Sequence, residues 1–328
     1  MIIESADIVK SPTISVIVIT YNQERYISQC LDAILSQKLN VPYELIIAED
    51  AGTDGTREIC KRYQKEHPDI IRLLLQDKNR GLSGNYADVL SLTRGKYIAQ
   101  IAGDDFWCDD NKLQMQYDYM VSHPKCGLCY TDAKACDEEG HLYSGDMFGG
   151  RHLPKSFEEH LLNPNFIAPL TWMFLSDVAH MFEDRKYADE SVAIALDAFA
   201  NYDVAHLDAY TAVYRIRRDS ASAYISPAHF FKQLKGVFET QVYYADKYNC
   251  SEQLKEKLYT KGYLQLLPAA VTAGEDEYVK KIHDYLDSNG YDVNLLIRDL
   301  QLGEMRRNSK AYRIGKAILK PFEWLKKK

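Results

Sequence analysis

Three pairs of neighbouring acids stand out in this 328-residue chain: Glu49-Asp50, Asp104-Asp105 and Asp189-Glu190. The first two pairs follow short apolar runs, ELIIAED and KYIAQIAGDD. A lone Asp-Asp is most often a solvated turn or a helix cap. Two acidic pairs on one edge of a sheet admit a second reading. Asp104-Asp105 offers the oxygen ligands of a Mg²⁺ or Mn²⁺ site, and magnesium needs only one or two carboxylates beside substrate phosphates. Ionised Glu49 and Asp50 accept hydrogen bonds and suit a base N–H or a ribose hydroxyl. A nucleotide diphosphate with a divalent cation fits both pairs together.

The elements that must position these acids alternate in period. ISVIVIT (14–20) is a β-branched run that reads as a buried strand. Over residues 23–37, Tyr26, Ile27, Cys30, Leu31, Ile34 and Leu35 fall on one helical face. Residues 44–50 are a second strand. Thr53 or Asp54 caps a helix running to about His67, where Pro68 stops it. Residues 70–75 form a third strand, followed by a helix from about Ser83 that Gly95 ends. Residues 96–102 form a fourth strand, 110–122 a helix, and 126–131 a fifth strand. Alternation of this kind predicts an α/β fold, with a mostly parallel central sheet and helices on both faces. Ligands of such sheets sit beyond the carboxyl ends of the strands. Thr20-Tyr21-Asn22, Glu49-Asp50 and Gly103-Asp104-Asp105 all lie there.

Residues 133–163, with four glycines, read as a long excursion, and such loops are often functional. Order resumes near 167–175. A helix over 190–201 precedes VAHLDAYTAVYRIRR, and residues 227–302 are helix-rich. No GxxxxGK[ST] occurs and no GxGxxG follows the first strand, which argues against a P-loop enzyme and a dinucleotide dehydrogenase.

Hydrophobic residues make up 46% and charged residues 27%, as in a soluble globular protein. No apolar run reaches 18 residues, and MIIESADIVKSPT lacks the pattern of a signal peptide. The seven scattered cysteines suit a reducing cytosol, and Cys126/Cys129 read as core thiols because zinc needs four ligands. The net charge of −7 hides a split: Arg306–Lys328 holds nine Lys/Arg and one acid. The remaining acidic body argues against nucleic acid as a partner. The basic tail interleaves Tyr312, Ile314, Phe322 and Trp324 with its charges, which suits an anionic membrane surface; docking on the acidic body is the alternative.

Five motifs in order resemble family 2 glycosyltransferases: SVIVITYNQERYISQCLDAILSQ, ELIIAEDAGTDGTREI, NRGLSGNYADVLSLTRGKYIAQIAGDDFW, CDDNKLQMQYDYMVSHP and TAVYRIRRDSAS. The likeness covers roughly residues 13–222. It implies an A-type, Rossmann-like fold and an inverting transferase that takes a nucleotide-diphospho-sugar. It implies that Thr20, Tyr21, Asn22 and Asp50 hold the nucleobase region with Glu49 close by. Asp104 would serve the ribose, metal and diphosphate, and Asp105 would be the first metal ligand for Mn²⁺ or Mg²⁺. Many relatives carry an acid where this chain has Ala102. Arg80 and Arg215 are candidate diphosphate partners, since guanidinium binds phosphate oxygens bidentately.

The resemblance also implies a general base near a helix start: Asp189 first, then Glu190, with Asp197 weaker; the plain alternative is an N-terminal helix charge. Trp172 is either a sugar-stacking ring or core. The expected organisation is a catalytic domain over 1–222, a helical region over 223–305 and the basic tail over 306–328. The expected acceptor is a glycan or lipid-linked hydroxyl at the cytoplasmic face of the membrane. The rival readings are a degenerate nucleotide-sugar-binding or glycan-binding relative, and a sugar nucleotidyltransferase. The latter would need a Gly-rich basic loop where TYNQERY stands.

Overall fold

A computed structural model describes residues 1–145, 153–164, 167–182, 188–217 and 226–292. The chain divides into two compact units, Met1–Ala223 and Tyr224–Lys328. The tail assigned to 306–328 lies outside the described residues.

The first unit holds one nine-stranded sheet. Its strands are β1 (Ile2–Ile3), β2 (Ile14–Thr20), β3 (Tyr43–Glu49), β4 (Ile71–Leu75), β5 (Tyr97–Ala102), β6 (Phe106–Trp107), β7 (Cys126–Cys136), β8 (Met173–Leu175) and β9 (Asp203–Arg215). They lie in the order β1-β4-β3-β2-β5-β8-β7-β9-β6. The run β4-β3-β2-β5 is parallel throughout. Its strands are apolar on both faces because helices cover both, which explains the unbroken β-branched runs. Ile14, Val16 and Val18 point into one core layer, with Ile27, Leu31 and Ile34 of helix α1 (Ile27–Leu35). Ile17, Ile46 and Ile98 point into the other, with Tyr86 and Val89 of helix α3 (Gly81–Leu90).

The parallel arrangement stops at β5. The three-residue β8 inserts antiparallel between β5 and β7. The expected fifth strand over 126–131 runs on to Cys136 and pairs in parallel with β9, through register shifts. A three-residue strand carries too little pattern to be read from sequence.

Helix α2 (Thr56–Glu66) starts later than expected, because Asp54 Oδ1 accepts from both the N–H and the hydroxyl of Thr56. Helix α3 ends at Leu90, and Gly95 serves a different need. A Cβ on Gly95 would lie 2.5 Å from the backbone nitrogen of Ser15. Helix α4 (Lys112–Ser122) leads into β7. Helix α5 (Phe157–Leu162) lies inside the expected excursion, of which residues 146–152 are outside the description. A short helix α6 (Ser176–His180) precedes helix α7 (Glu190–Asn201), which leads into β9.

The described part of the second unit is three helices: α8 (Pro227–Lys247), α9 (Glu252–Ala273) and α10 (Asp276–Ser288). Ser226 and Ser251 cap α8 and α9. Phe238, Tyr259, Tyr263 and Tyr285 build an aromatic cluster among the three helices. Gly262 admits the Phe238 ring, which a Cβ would overlap.

Candidate active site

The carboxyl ends of β2, β3 and β5 are level. Thr20 pairs with Glu49, and Ile19 pairs with Ala102. One further hydrogen bond on each side carries the register past the strands: Asp50 N–H to Thr20 O at 3.0 Å, and Gly103 N–H to Ile19 O at 3.0 Å. The three expected clusters therefore share one rim. Two of its loop residues, Asn22 (φ 52°) and Ala51 (φ 57°), are left-handed without being glycine. Such backbone costs about 1–2 kcal/mol per residue, and strain of this kind collects at functional sites. The two loops are stitched together, Thr53 N–H donating to Asn22 Oδ1 at 2.7 Å.

Each candidate has a distinct environment. Thr20 is buried, and its hydroxyl has no hydrogen-bond partner among the described residues; neither does Gln23 Oε1. Both oxygens flank Gly103, where a Cβ would come within 2.9 Å of the first and 2.7 Å of the second. Tyr21 stands exposed at the rim. Glu49 is fully buried, with one oxygen accepting the Gly52 N–H of the following loop and the other Arg57 Nε of α2. Asp50 Oδ1 accepts the Arg80 N–H at 2.6 Å, and the Gly81 N–H also bonds its carboxylate. Burial raises its pKa, and those two N–H groups offset part of the rise. Arg80 thus meets Asp50 through its backbone, while its guanidinium Nε bonds Asp88 at 3.0 Å.

Asp104 and Asp105 diverge. Asp105 is buried, and its Oδ1 accepts the Arg215 N–H at 2.8 Å. Burial, then the Asp104 charge, holds its carboxyl well above the ordinary range. Asp104 Oδ2 pairs with Arg217 Nη1 at 3.0 Å. The Arg215 guanidinium is a fastener: it bonds the carbonyls of Asp104, Asp137 and Glu138 and the Gln29 side chain. It also lies over the Tyr26 ring at 4.7 Å.

At the start of α7 the two base candidates separate. Asp189 is the N-cap, its Oδ1 accepting the Ser191 N–H at 3.0 Å and the Ser191 hydroxyl. Glu190 is 5% exposed and accepts the hydroxyl of Ser83, in the first turn of α3. Burial pushes the Glu190 carboxyl up to about 7, against the pull of the Ser83 bond. Asp197 is fully buried in the middle of the same helix. Trp172 packs in the core with Ile17 and Phe174. Cys126 and Cys129 are buried free thiols.

Among the described residues no three His, Cys, Asp or Glu side chains form a metal cluster. Two adjacent carboxylates, each with one oxygen engaged by an arginine, still meet the modest needs of Mg²⁺ or Mn²⁺ on a diphosphate. The residues therefore fit a metal that the substrate helps to hold.

Sequence reasoning passed over Ser83, Arg57 and Arg217. Only Arg217 left a signal, as the second arginine of RIR, on the same strand face as Arg215.

Fold and rim together define an α/β domain with an acidic ligand rim past the carboxyl ends of its parallel strands. Residues 15–180, half of the chain, match the family model described as Glycosyl transferase family 2, and the chain belongs to that family. Over 126 residues it is 40% identical to an uncharacterized protein of Mycobacterium tuberculosis, covering 38% of this chain and 36% of that relative. The chain thus matches little more than a third of that relative's length.

Two solved structures share the fold. S. aureus TarS 1–349, in complex with UDP-GlcNAc, superposes with a TM-score of 0.56 at 16% identity, covering 92% of this chain and 93% of that one. The mannosyltransferase PcManGT from Pyrobaculum calidifontis, in complex with GDP-Man and Mn²⁺, gives 0.59 at 18% identity, covering 94% and 84%.

Proposed function

We propose that this glycosyltransferase moves a sugar, with inversion, from a nucleotide-diphospho-sugar to a hydroxyl of a glycan or lipid-linked acceptor in surface-polysaccharide synthesis. The observation that carries the donor half is the shared rim: Asp50 lies just past β3, and Asp104 and Asp105 just past β5, level with the end of β2. Thr20, Tyr21, Asn22 and Asp50 face the nucleobase region, with Glu49 and Arg80 holding the shape of the loops around it. Asp105 and Asp104 would hold a divalent cation, which when bound stabilises charge on the departing diphosphate. The first unit, Met1–Ala223, carries the catalytic role. TarS and PcManGT, each solved with a nucleotide sugar, support the donor class.

In the reaction a carboxylate takes the acceptor O–H proton. The freed oxygen attacks the anomeric carbon, and the carbon–oxygen bond to the diphosphate breaks on the opposite face. A base works best with a pKa near the working pH. Glu190, at about 7, meets that condition, while Asp189 is engaged as a helix cap. A second reading gives the base to Asp197. Asp197 is a fully buried carboxylate on the same helix, inside the apolar stretch ESVAIALDAFAN.

The test is transfer and donor binding in Asp189→Asn, Glu190→Gln and Asp197→Asn. The base variant should lose on the order of 10²–10⁴ in transfer rate while still binding donor. Full activity in all three would remove the base from α7. Donor binding with no transfer to any acceptor by the unmodified protein would favour a degenerate binding relative.

A further inference from the structure

Arg217 lies two residues beyond β9 and is buried. Its ion pair with Asp104 has side chains only 7% and 12% exposed, so it is little screened by solvent. Its guanidinium lies over the Tyr26 ring at 5.1 Å, the ring that also carries Arg215 at 4.7 Å. Residues i and i+2 of an extended strand share a face, which brings both arginines to one aromatic platform. Their partners differ. Arg215 bonds three main-chain carbonyls and a glutamine, so its role is to fix the Asp104-Asp105 turn. Arg217 meets the carboxylate side chain of a candidate metal ligand. A cation arriving at Asp104 therefore meets a positive charge already in place.

We propose that Arg217 is a further donor-site residue: it is the counter-charge of Asp104, competes with a divalent cation for that carboxylate, and gives the site a metal-independent hold on a nucleoside diphosphate. The proposal rests on the donor-site reading above. Two neighbouring carboxylates would repel a diphosphate, so a site built from them needs positive charge before it can bind one. A guanidinium is permanently charged and matches phosphate oxygens bidentately. When Asp104 is shared with a divalent cation, the same guanidinium is beside the diphosphate that the cation serves.

The experiment uses the full chain and two readouts that need no turnover. Calorimetry measures binding of UDP and of GDP in EDTA and in Mn²⁺. Electron paramagnetic resonance of free Mn²⁺ measures metal binding to the protein alone. The variant is Arg217→Gln, which keeps an amide donor for Asp104 without the charge. Arg217→Lys is the charge-restoring control, and circular dichroism confirms folding.

The unmodified protein should bind one of the two nucleotides in EDTA. Arg217→Gln should weaken that binding on the order of tenfold or more. The same variant should bind Mn²⁺ more tightly, and Arg217→Lys should restore part of both effects. Nucleotide binding that depends strictly on Mn²⁺ and is equal in both proteins would overturn this proposal alone. Unchanged Mn²⁺ affinity in folded Arg217→Gln would overturn the competition. Binding of neither nucleotide under any condition would overturn the donor-site reading as well.

Discussion

Ser83 and Glu190, 107 residues apart in sequence, are joined by a hydrogen bond from the serine hydroxyl to Glu190 Oε1. The bond ties the first turn of α3 to the first turn of α7, and α3 begins where Arg80 N–H meets Asp50. A buried acid is thus linked through one short helix to the Asp50 side of the rim. Its carboxyl lies at about 7, against 4.5 for a free glutamate.

A raised acid stabilises the fold most below its unfolded pKa and loses that contribution as pH rises through the folded value. Between pH 4.5 and 7 the folded chain binds the extra proton at Glu190. At pH 8 Glu190→Gln should therefore be the more stable protein, by up to about 3 kcal/mol, with the gap closing by pH 4.5. Urea unfolding at both pH values measures this. Ser83→Ala removes the bond that pulls the pKa down, so the acid limb of the transfer rate should move to higher pH.

Asp50 has a structural duty beside the nucleotide role proposed for it. Replacing it with alanine leaves the Arg80 and Gly81 N–H groups without their acceptor, which costs about 1–3 kcal/mol. Asp50→Asn keeps an acceptor oxygen and should retain most of the stability. Both variants should lose nucleotide affinity on the order of tenfold or more, since neither keeps the charge. Melting curves and calorimetry on the pair separate the two roles.

Lys112 is fully buried against Gln116, and burial lowers its pKa from 10.5 to about 7. The Trp107 ring face, 4.4 Å away, recovers part of the cost of the charge. Between pH 7 and 10.5 the unfolded chain binds the extra proton, so stability should rise with pH over that window. Lys112→Met should flatten this rise, as read by urea unfolding at pH 7 and 9.5. An equal rise in both proteins would contradict the assignment.

The basic segment 306–328 supports a membrane prediction that does not depend on the rim. The full chain should sediment with vesicles containing phosphatidylserine and be released by salt, while a chain ending at residue 305 should not sediment. Equal sedimentation of the two would remove the tail from the account.

What the sequence made legible was local. The runs 14–20, 44–50 and 96–102 are apolar on both faces, so strand, parallel pairing and rim follow from pattern alone. Pairings across long separations were not legible. β8 has three residues, and its antiparallel insertion is set by what packs around it. Asp189 and Glu190 are adjacent acids at one helix start, and only the fold decides which caps the helix and which meets Ser83. Glu49 bonds Arg57, eight residues away on another element, a partner that the pattern of the strand does not reveal. The Arg217–Asp104 pair spans 113 residues and has no local signature.

The proposed nucleotide-diphospho-sugar site lies at the Asp50, Asp104 and Asp105 rim. A thermal-shift panel of nucleoside diphosphates and their sugars, with and without Mn²⁺, tests it most directly. One nucleotide class should raise the melting temperature, more with Mn²⁺ than without. A ligand at a hundred times its dissociation constant adds about 2.7 kcal/mol. Asp50→Ala and Asp105→Asn should abolish or sharply reduce the shift. A flat panel from well-folded protein, or a shift untouched by both substitutions, would contradict the account.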